Sequence, residues 1–382
     1  MNIETFNDLN VLPEFTEKLR RLHITAPTTI QKLVIPRLNA GDTVLFHSAT
    51  GTGKTFAYLL PFLGKIMPRT GAAFLIIAPT LELCSQIKRE ADFLLADQIQ
   101  TALIIGSASI SRQIESIKKD KPAVIVGNPS RLLQLVKMGK LKLNNIRFLV
   151  LDEGDRLVSD EQYEQTAELC SAIKTSRQTA SCSATFSAKS RERLMPLLGT
   201  EAVVTLETNE QEILRNHIQH LAFFAEDRRK IKTLCSLLAA LRIKKALVFS
   251  SSAGQIGNIV AQLQYHGIAA GGISGKLDKK LRKHSFDDFR CGRINVLVSS
   301  DLAARGLDIQ DISHIIALDV PENPEVYLHR AGRTARAGAH GTMISIGNAP
   351  QMYRLAALEK HLGIVVYPRI LYRGQIIAPE QP

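Results

Sequence analysis

The sequence contains no tryptophan, and aromatic residues make up only 5% of its 382 residues. Stacking of bases on aromatic side chains is a common way for a protein to hold single-stranded nucleic acid. With so few aromatic side chains, a surface that grips bases by stacking is less expected than one that contacts phosphates.

Cysteine is also scarce, with five residues at positions 84, 170, 182, 235 and 291. The number is odd and no CxxC pair occurs, so neither a disulfide framework nor a zinc site is expected, and a reducing compartment fits.

The sequence contains no apolar run near the ~20 residues that a membrane-spanning helix needs. The N-terminal segment has early acidic residues and lacks the apolar stretch of a signal peptide. We therefore expect a soluble, cytoplasmic protein with no membrane partner.

Apolar residues are 45% of the chain, and 48 Lys and Arg stand against 36 Asp and Glu, for a net charge of +12. The length exceeds one ordinary domain and suits two. The basic balance suggests a polyanionic partner, with nucleic acid expected before a membrane surface.

Short apolar runs alternate with segments of helical periodicity, in two series along the chain. Mostly apolar runs of this length are typical of strands buried on both faces of a parallel sheet. The pattern predicts an α/β fold of two tandem domains, each a parallel sheet flanked by helices, with a cleft between them. One large α/β domain is the alternative. The runs lie at 42–48, 72–80, 101–107, 122–128, 147–153 and 178–185, and then at 245–251, 268–274, 294–301, 313–320 and 341–347.

The polar stretch between the two series divides the chain. We expect an N-terminal domain over residues 1–205, a linker over 206–216, a C-terminal domain over 217–365 and a short tail over 366–382.

A glycine-rich segment, HSATGTGKTFAYLLPF, lies at 47–62 between a strand pattern and a helix pattern. Gly51 and Gly53 allow backbone N–H groups to surround phosphate oxygens, Lys54 can reach the outer phosphates, and the Thr55 hydroxyl can hold Mg²⁺. Ser48 occupies the position where the strict phosphate-loop pattern has glycine. A chance glycine-rich turn is the alternative, but the intact GKT and its flanking elements favour an ATP site.

Adjacent carboxylates end the apolar run LVLDEGDRLV at 149–158. Taken alone, such a pair is usually a solvated turn. Together with the phosphate loop, Asp152 is predicted to hold the metal ion, and Glu153 is placed to polarise the attacking water as a general base.

A basic segment, VYLHRAGRTARAG at 326–338, places His329, Arg330, Arg333 and Arg336 within eight residues. Arginines three apart share a face if the segment is helical, and an exposed basic helix end is the alternative. An arginine that stabilises charge on a transferred phosphoryl group is worth about 10³–10⁵ in rate. Upstream, Asp308 could accept hydrogen bonds from ribose hydroxyls.

These segments, in this order, resemble the motifs of the DEAD-box ATP-dependent RNA helicases of superfamily 2. The resemblance extends from about Phe6 to about Gly347 and implies two RecA-like domains. DEGD at 152–155 takes the place of the tetrad that names the family, and SAT at 183–185 and HRAGRTARAG at 329–338 match later motifs.

The resemblance implies roles for further residues on the ATP side. Gln31, with Phe6 nearby, would recognise adenine, and Asp308 would contact the ribose. His329 and Arg333 would lie near the γ-phosphate, with Arg336 as the arginine finger. The nucleotide would also contact the phosphate-loop residues Ala49, Thr50, Gly51, Thr52, Gly53, Lys54 and Thr55, while Asp155, Ser183 and Thr185 would link ATP to domain closure.

The motifs that the family places on RNA depart more from its pattern. Leu81, Ser107, Ser274 and Lys279 stand where arginine, glycine, histidine and glutamine are usual, and Ala335 replaces a glycine of the ATP-side motif. Each phosphate contact removed in this way would weaken RNA binding and lower its salt dependence. The positions expected to contact RNA are Pro79, Thr80, Gly106, Pro129, Arg131, Gly275, Arg282 and Ser300.

Gly154 replaces the alanine of the tetrad. Glycine adds backbone freedom, which costs on the order of 0.5–1 kcal/mol relative to alanine in regular structure. We therefore expect Asp155, and with it the coupling of ATP to RNA, to be loosened more than hydrolysis itself.

Three functions compete for these residues. The first is an RNA-dependent ATPase that locally unwinds or remodels short RNA duplexes, with ATP and Mg²⁺ as cofactors and protein partners that supply specificity. The second is an ATP-gated RNA clamp or scaffold with weak unwinding, motivated by the altered RNA motifs. The third is a DNA-directed enzyme of the same superfamily, which the 2′-hydroxyl dependence of its stimulation would distinguish.

Overall fold

The structure is a computed structural model that describes residues 4–48, 51–66, 73–95, 99–183, 187–199, 202–208, 217–241, 243, 245–274, 279–301, 312–334 and 340–379. The chain divides into two compact units, Met1–Thr208 and Asn209–Pro382.

The first unit is built on a seven-stranded sheet in which every strand pair is parallel. The order across the sheet is β3-β4-β2-β5-β6-β1-β7. Six of its strands fall within the apolar runs of the first series, as expected for strands covered on both faces. The strands are β1 Thr43–His47, β2 Phe74–Ile77, β3 Thr101–Ile104, β4 Val124–Gly127, β5 Phe148–Asp152, β6 Gln178–Ser183 and β7 Val203–Glu207.

Helices cover both faces of this sheet. Alternate residues of the strands enter two separate cores, as the period of two in a strand requires. One core packs against α1 to α4 and the other against α5, α6, α8 and α9. The helices are α1 Pro13–Arg21, α2 Thr29–Ala40, α3 Lys54–Lys65, α4 Leu81–Leu95, α5 Ile110–Asp120, α6 Pro129–Lys137, α7 Gly154–Leu157, α8 Tyr163–Ser171 and α9 Ala188–Leu194.

The second unit has an eight-stranded sheet of order β10-β11-β9-β12-β13-β8-β14-β15. All its pairs are parallel except the last, in which β15 runs antiparallel to β14. The predicted architecture of two parallel-sheet α/β domains is thus confirmed. The strands are β8 Ile218–Phe224, β9 Ala246–Phe249, β10 Ala270–Ile273, β11 Val296–Ser299, β12 His314–Ala317, β13 Gly341–Gly347, β14 Val366–Tyr372 and β15 Gln375–Ile377.

This sheet also has a core on each face, one against α10 and α11 and the other against α12, α13 and α14. No described helix of the chain is long and apolar enough to cross a membrane. The helices are α10 Lys230–Leu241, α11 Ile256–Tyr265, α12 Lys279–Arg290, α13 Pro324–Ala331 and α14 Ala349–Leu362. Short 3₁₀ helices lie at Asn7–Leu9, Met195–Leu198 and Asp227–Arg229.

The apolar pattern missed four strands, namely β7, β8, β14 and β15. β7 and β14 lie towards the sheet margins and are half exposed, so they lack an uninterrupted apolar run. The stretch expected to be a short tail, 366–382, therefore contains two strands of the second sheet. β7 likewise extends to Glu207, inside the stretch expected to be linker.

Burial predicts the reactivity of the five free cysteines. Cys291 is exposed and the other four are buried. Burial raises the pKa of the Cys170 thiol to about 12, so its thiolate is scarce at neutral pH.

A thiol reagent should therefore modify one cysteine rapidly in the folded protein and all five in denaturant. The Cys291→Ser variant should lose the rapid phase. A rapid phase that survives this substitution would contradict the burial described here.

Candidate active site and nucleic-acid interface

Three neighbouring strands bring the predicted ATP residues to one edge of the first sheet. In the order β5-β6-β1, Asp152 pairs with Cys182, and Cys182 pairs with Phe46. Just beyond these pairs, the Ser48 N–H donates to the Ser183 carbonyl at 3.1 Å. Because the strands are parallel and in register, the phosphate loop, the carboxylate pair and the SAT segment begin side by side.

The phosphate loop joins β1 to the N-terminus of α3. Gly51 and Gly53 have φ of 83° and 88°, in the left-handed region that favours glycine. Lys54 begins α3, and its ammonium donates to the Ser48 carbonyl at 2.5 Å. A helix N-terminus beside a lysine is suited to phosphate. Ala49 and Thr50 lie outside the described residues.

Gln31 contacts this loop directly. Its Nε2 donates to the Gly53 carbonyl at 3.0 Å, and its Oε1 accepts from the Thr28 N–H at 3.0 Å in the capping box of α2. Gln31 is 2% exposed. Phe6 is 1% exposed and packs in the core beside α2. The resemblance assigns these two residues to adenine. Gln31 belongs to α2, which contacts the phosphate loop, and Phe6 packs in the same core.

Ser48 ties the loop to the end of the domain. Its buried hydroxyl donates to Thr52 Oγ1 at 2.8 Å and accepts from Thr208 Oγ1 at 2.9 Å. Thr208 is the last residue of the first unit. A glycine at 48 could form neither contact, so the departure from the strict pattern has a structural use that the sequence did not reveal.

The Asp152 carboxylate is held by protonated neighbours. Asp152 is 4% exposed, and its Oδ2 accepts from the Tyr58 hydroxyl at 2.8 Å. Its Oδ1 accepts from the Cys182 thiol at 3.1 Å and the Glu153 N–H at 2.8 Å. Burial, aided by the Asp152 charge, raises the pKa of Tyr58 and of Cys182 well above their ordinary values, so both remain donors. Neither neighbour was predicted from the sequence.

Glu153 has an unusual backbone. Its φ of 49° and ψ of 52° place it in the left-handed region as the N-cap of α7. Such a conformation costs a non-glycine residue roughly 1–3 kcal/mol and is found mainly at functional sites. Arg156 pairs with the Glu153 carboxylate at 3.4 Å, and both side chains are less than one-fifth exposed. The backbone turn and the ion pair together orient the predicted general base.

Gly154 is explained by packing. A Cβ added there would lie 2.5 Å from Ser181 Oγ and 3.3 Å from Leu194 Cδ2. The Ser181 hydroxyl is fully buried and donates to the Leu151 carbonyl at 3.0 Å. The hydroxyl of Ser181 therefore occupies the space that an alanine methyl would need. In the sequence, only the backbone freedom of Gly154 is apparent. In the structure, the lack of space for a side chain explains this glycine.

The next residue, Asp155, connects the carboxylate motif to SAT. The Ser183 hydroxyl donates to Asp155 Oδ1 at 2.5 Å. The resemblance implies that these two residues help to link ATP to domain closure. Thr185, the third predicted member of the link, lies outside the described residues.

The predicted RNA contacts of the first unit occupy the other half of the same edge. Pro79 and Thr80 follow β2, Gly106 follows β3, and Pro129 and Arg131 begin α6 after β4, in the strand order β3-β4-β2. One continuous edge therefore carries predicted RNA residues on three strands and predicted ATP residues on the next three.

Arg131 is engaged within this loop cluster. Its guanidinium donates to the Gly106 carbonyl at 2.8 Å and the Ala108 carbonyl at 2.9 Å. It thus holds together two of the loops predicted to contact RNA. Leu81, where the family has arginine, begins α4 and is 37% exposed.

The basic motif of the second unit is not one exposed helical face. α13 ends at Ala331, so Arg333 lies beyond it, and Arg336 lies outside the described residues. Arg330 is 1% exposed, and its guanidinium donates two hydrogen bonds, of 2.6 and 2.7 Å, to the Asp301 carboxylate. Arg330 is therefore structural. His329 is partly buried in α13, and Arg333 is 6% exposed.

The remaining predicted residues of this unit are scattered over its elements. Ser300 follows β11 and is 9% exposed, and Arg282 lies in α12. Gly275 and Asp308 lie outside the described residues.

Known families match both halves of the chain. The family model described as DEAD/DEAH box helicase matches residues 28–194, and the helicase conserved C-terminal domain matches residues 229–338.

Relatives match nearly the whole chain. The DEAD-box ATP-dependent RNA helicase CshC of Bacillus cereus is 33% identical over 92% of this chain and 89% of its own length. The probable ATP-dependent RNA helicase YfmL of Bacillus subtilis is 32% identical over 92% of each chain. The structure of Saccharomyces cerevisiae Dbp5 bound to RNA and ADP BeF3 has a TM-score of 0.84, 26% identity and 95% coverage of both chains. The chain belongs to the DEAD-box helicase family.

The contact between Gly154 and Ser181 predicts a double-mutant cycle. Gly154→Ala alone should destabilise the protein by roughly 1–3 kcal/mol, because the methyl group overpacks against a buried hydroxyl. Adding Ser181→Ala should recover most of that loss. Free energies of unfolding from denaturant titration would measure the cycle. Losses that add within about 0.5 kcal/mol would mean that the two positions are independent.

The buried hydroxyl of Tyr58 predicts a second effect on stability. Tyr58→Phe removes a hydrogen bond to a charged group and should lower the free energy of unfolding by about 1.5–3 kcal/mol. Tyr163→Phe is the matched control, because Tyr163 is partly exposed and no hydrogen bond of its hydroxyl is described. Equal losses in the two variants would show that Tyr58 does not support Asp152.

Proposed function

We propose that the chain is an ATP-dependent RNA helicase, an RNA-stimulated ATPase that locally unwinds or remodels short RNA duplexes. The observation that carries this proposal is the sheet edge of the first unit, where Lys54, Asp152 and the Ser183–Asp155 contact adjoin the loops assigned to RNA. CshC is named as a DEAD-box ATP-dependent RNA helicase and YfmL as a probable one, and one structural neighbour holds RNA together with ADP BeF3.

The proposed nucleotide site uses the loop and the carboxylate pair. Lys54 and the loop N–H groups hold phosphate oxygens, while Gln31, with Phe6 nearby, recognises adenine. Thr55 and Asp152 offer the oxygen ligands that Mg²⁺ prefers, and Mg²⁺ usually takes only one or two protein carboxylates besides phosphates. When bound there, the ion would neutralise negative charge on the outer phosphates.

Hydrolysis is assigned to the side chains around these phosphates. Glu153, turned by its left-handed backbone and held by Arg156, orients and polarises the attacking water. His329, Arg333 and Arg336 supply positive charge near the γ-phosphate, and Asp308 accepts hydrogen bonds from the ribose.

The proposed RNA site reads the backbone rather than bases. Its contacts in the first unit come from Pro79, Thr80, Gly106, Pro129 and Arg131, several of them through main-chain groups. Backbone contacts fix position without sequence information, so this grip is sequence-independent. In the second unit, Gly275, Arg282 and Ser300 are assigned to RNA contacts.

Coupling between nucleotide and RNA is assigned to Asp155, Ser183 and Thr185. The partly buried hydrogen bond from Ser183 to Asp155 joins the carboxylate motif directly to β6. No described contact favours the alternative of a clamp with weak unwinding, and the relatives do not favour it.

The described cysteines are free, as expected in a reducing compartment, and we propose the cytoplasm as the location of the protein.

ATP turnover with and without RNA tests the function. RNA should stimulate turnover, and Lys54→Ala and Glu153→Gln should each reduce it by roughly 10²-fold or more, since each removes a group that acts on the phosphates or the water. Glu192→Gln, at an exposed glutamate of α9, is the control and should leave the rate unchanged.

The same assay separates the competing functions. Equal stimulation by DNA of the same sequence would favour the DNA-directed enzyme. Turnover without any response to RNA would contradict the proposed function.

A further inference from the structure

The opposite edge of the first sheet carries a basic surface that the proposed site does not use. Helices α5, α6 and α8 lie in one layer against the same core. Each ends at the edge where the strands begin, and each is followed or capped by exposed cations. We call this the basic edge; its residues are Lys118, Lys119, Lys121, Lys140, Lys142, Arg147 and Lys174.

Backbone hydrogen bonds show that this edge is continuous. Across the starts of the strands, the Ala73 N–H donates to the Ala123 carbonyl, the Arg147 N–H to the Ala73 carbonyl, and the Gln178 N–H to the Arg147 carbonyl, each at 2.9 Å. Two of the helices are also joined at this edge, since Lys137 in the last turn of α6 pairs with Glu168 in the last turn of α8. The cations therefore belong to one surface.

The favourable position at a helix C-terminus accounts for only some of these cations, namely Lys118 and Lys119 in the last turn of α5 and its C-cap Lys121. A cation near a helix C-terminus is favourable only within the last turn. Lys140, Lys142 and Lys174 lie beyond the ends of α6 and α8. Acidic residues do not neutralise the surface. Among the described residues, no ion pair involves any of the seven cations. The last turns of the three helices hold two acidic side chains, of which Glu168 pairs with Lys137 and Asp120 accepts a hydrogen bond from Ser116. Concentrated, unpaired positive charge is typical of a surface that binds a polyanion.

We propose that the basic edge binds a second segment of the RNA through its phosphates. This inference rests on the proposed function, because it concerns the same RNA. The strands are four to six residues long, which places this edge about 15 Å from the loops at their carboxyl ends. An RNA just long enough for those loops does not reach it, whereas a longer one does.

The test compares two quadruple variants across a series of single-stranded RNAs of increasing length. The first variant carries Lys118→Gln, Lys119→Gln, Lys140→Gln and Lys142→Gln. Lys121 is kept, because its φ of 42° makes the backbone sensitive there. The control removes four exposed cations from the opposite helical layer, by Arg20→Gln, Arg21→Gln, Arg37→Gln and Arg89→Gln.

Affinity should be equal for the shortest RNAs and should fall for the first variant alone as length grows. For long RNA, the slope of log affinity against log salt should decrease by about 0.7 for each phosphate that the variant no longer neutralises. Denaturant titration of both variants checks that neither loses its fold.

Several results would overturn the proposal. Parallel curves for wild type and the first variant at all lengths would show that the basic edge does not touch RNA. An equal loss of RNA affinity in the control variant would show that the effect comes from net charge and not from the basic edge. Loss of binding to anionic lipid vesicles with RNA affinity unchanged would assign the surface to a membrane. Failure of the proposed function is separate, because it would appear as wild-type ATP turnover indifferent even to short RNA.

Discussion

In-register pairing of three parallel strands, β5, β6 and β1, is the constraint on which the candidate site depends. A shift of one residue would send every side chain of a strand to the other face of the sheet. Asp152 would then leave Tyr58 and Cys182, and Ser183 would leave Asp155. The Ser48–Ser183 backbone hydrogen bond continues the ladder past the end of β1. The geometry of the phosphate loop and of the carboxylates is thus fixed by the same ladder that forms the sheet.

The common direction of the strands also gives the first unit two electrostatically distinct edges. At the carboxyl ends, helices such as α3 and α6 begin, and their free N–H groups attract anions. At the amino ends, helices end, and charge there has to come from side chains. The lysines after α5 and α6 supply it. The first edge therefore offers anions mainly main-chain N–H groups, and the second offers them side-chain cations alone.

The sequence predicted the fold because strands buried on both faces leave long apolar runs, and it predicted the phosphate loop because its glycines and lysine are adjacent along the chain. It missed β7 and β14, since a half-exposed strand near the margin of a sheet needs no such run. It also missed Tyr58 and Ser181. Tyr58 lies 94 residues from Asp152, and no local pattern marks a side chain whose partner is so distant. The sequence does not distinguish Arg330 from its basic neighbours, because a run of cations does not show which of them is buried.

At the ATP site, two positions that depart from the expected patterns, Ser48 and Gly154, belong to a network of satisfied hydrogen bonds and close packing. A buried hydroxyl without a partner costs about 1–3 kcal/mol. Ser48 instead bonds Thr52 and Thr208, and Ser181, which fills the space beside Gly154, bonds the Leu151 carbonyl. Ser274 of the second unit differs, because its buried hydroxyl has no partner among the described residues. Gly154, which the sequence predicts to loosen Asp155, is packed on one side by Ser181, while Asp155 itself is held by Ser183. The tetrad therefore keeps its three carboxylates in a close-packed setting that differs from alanine in shape.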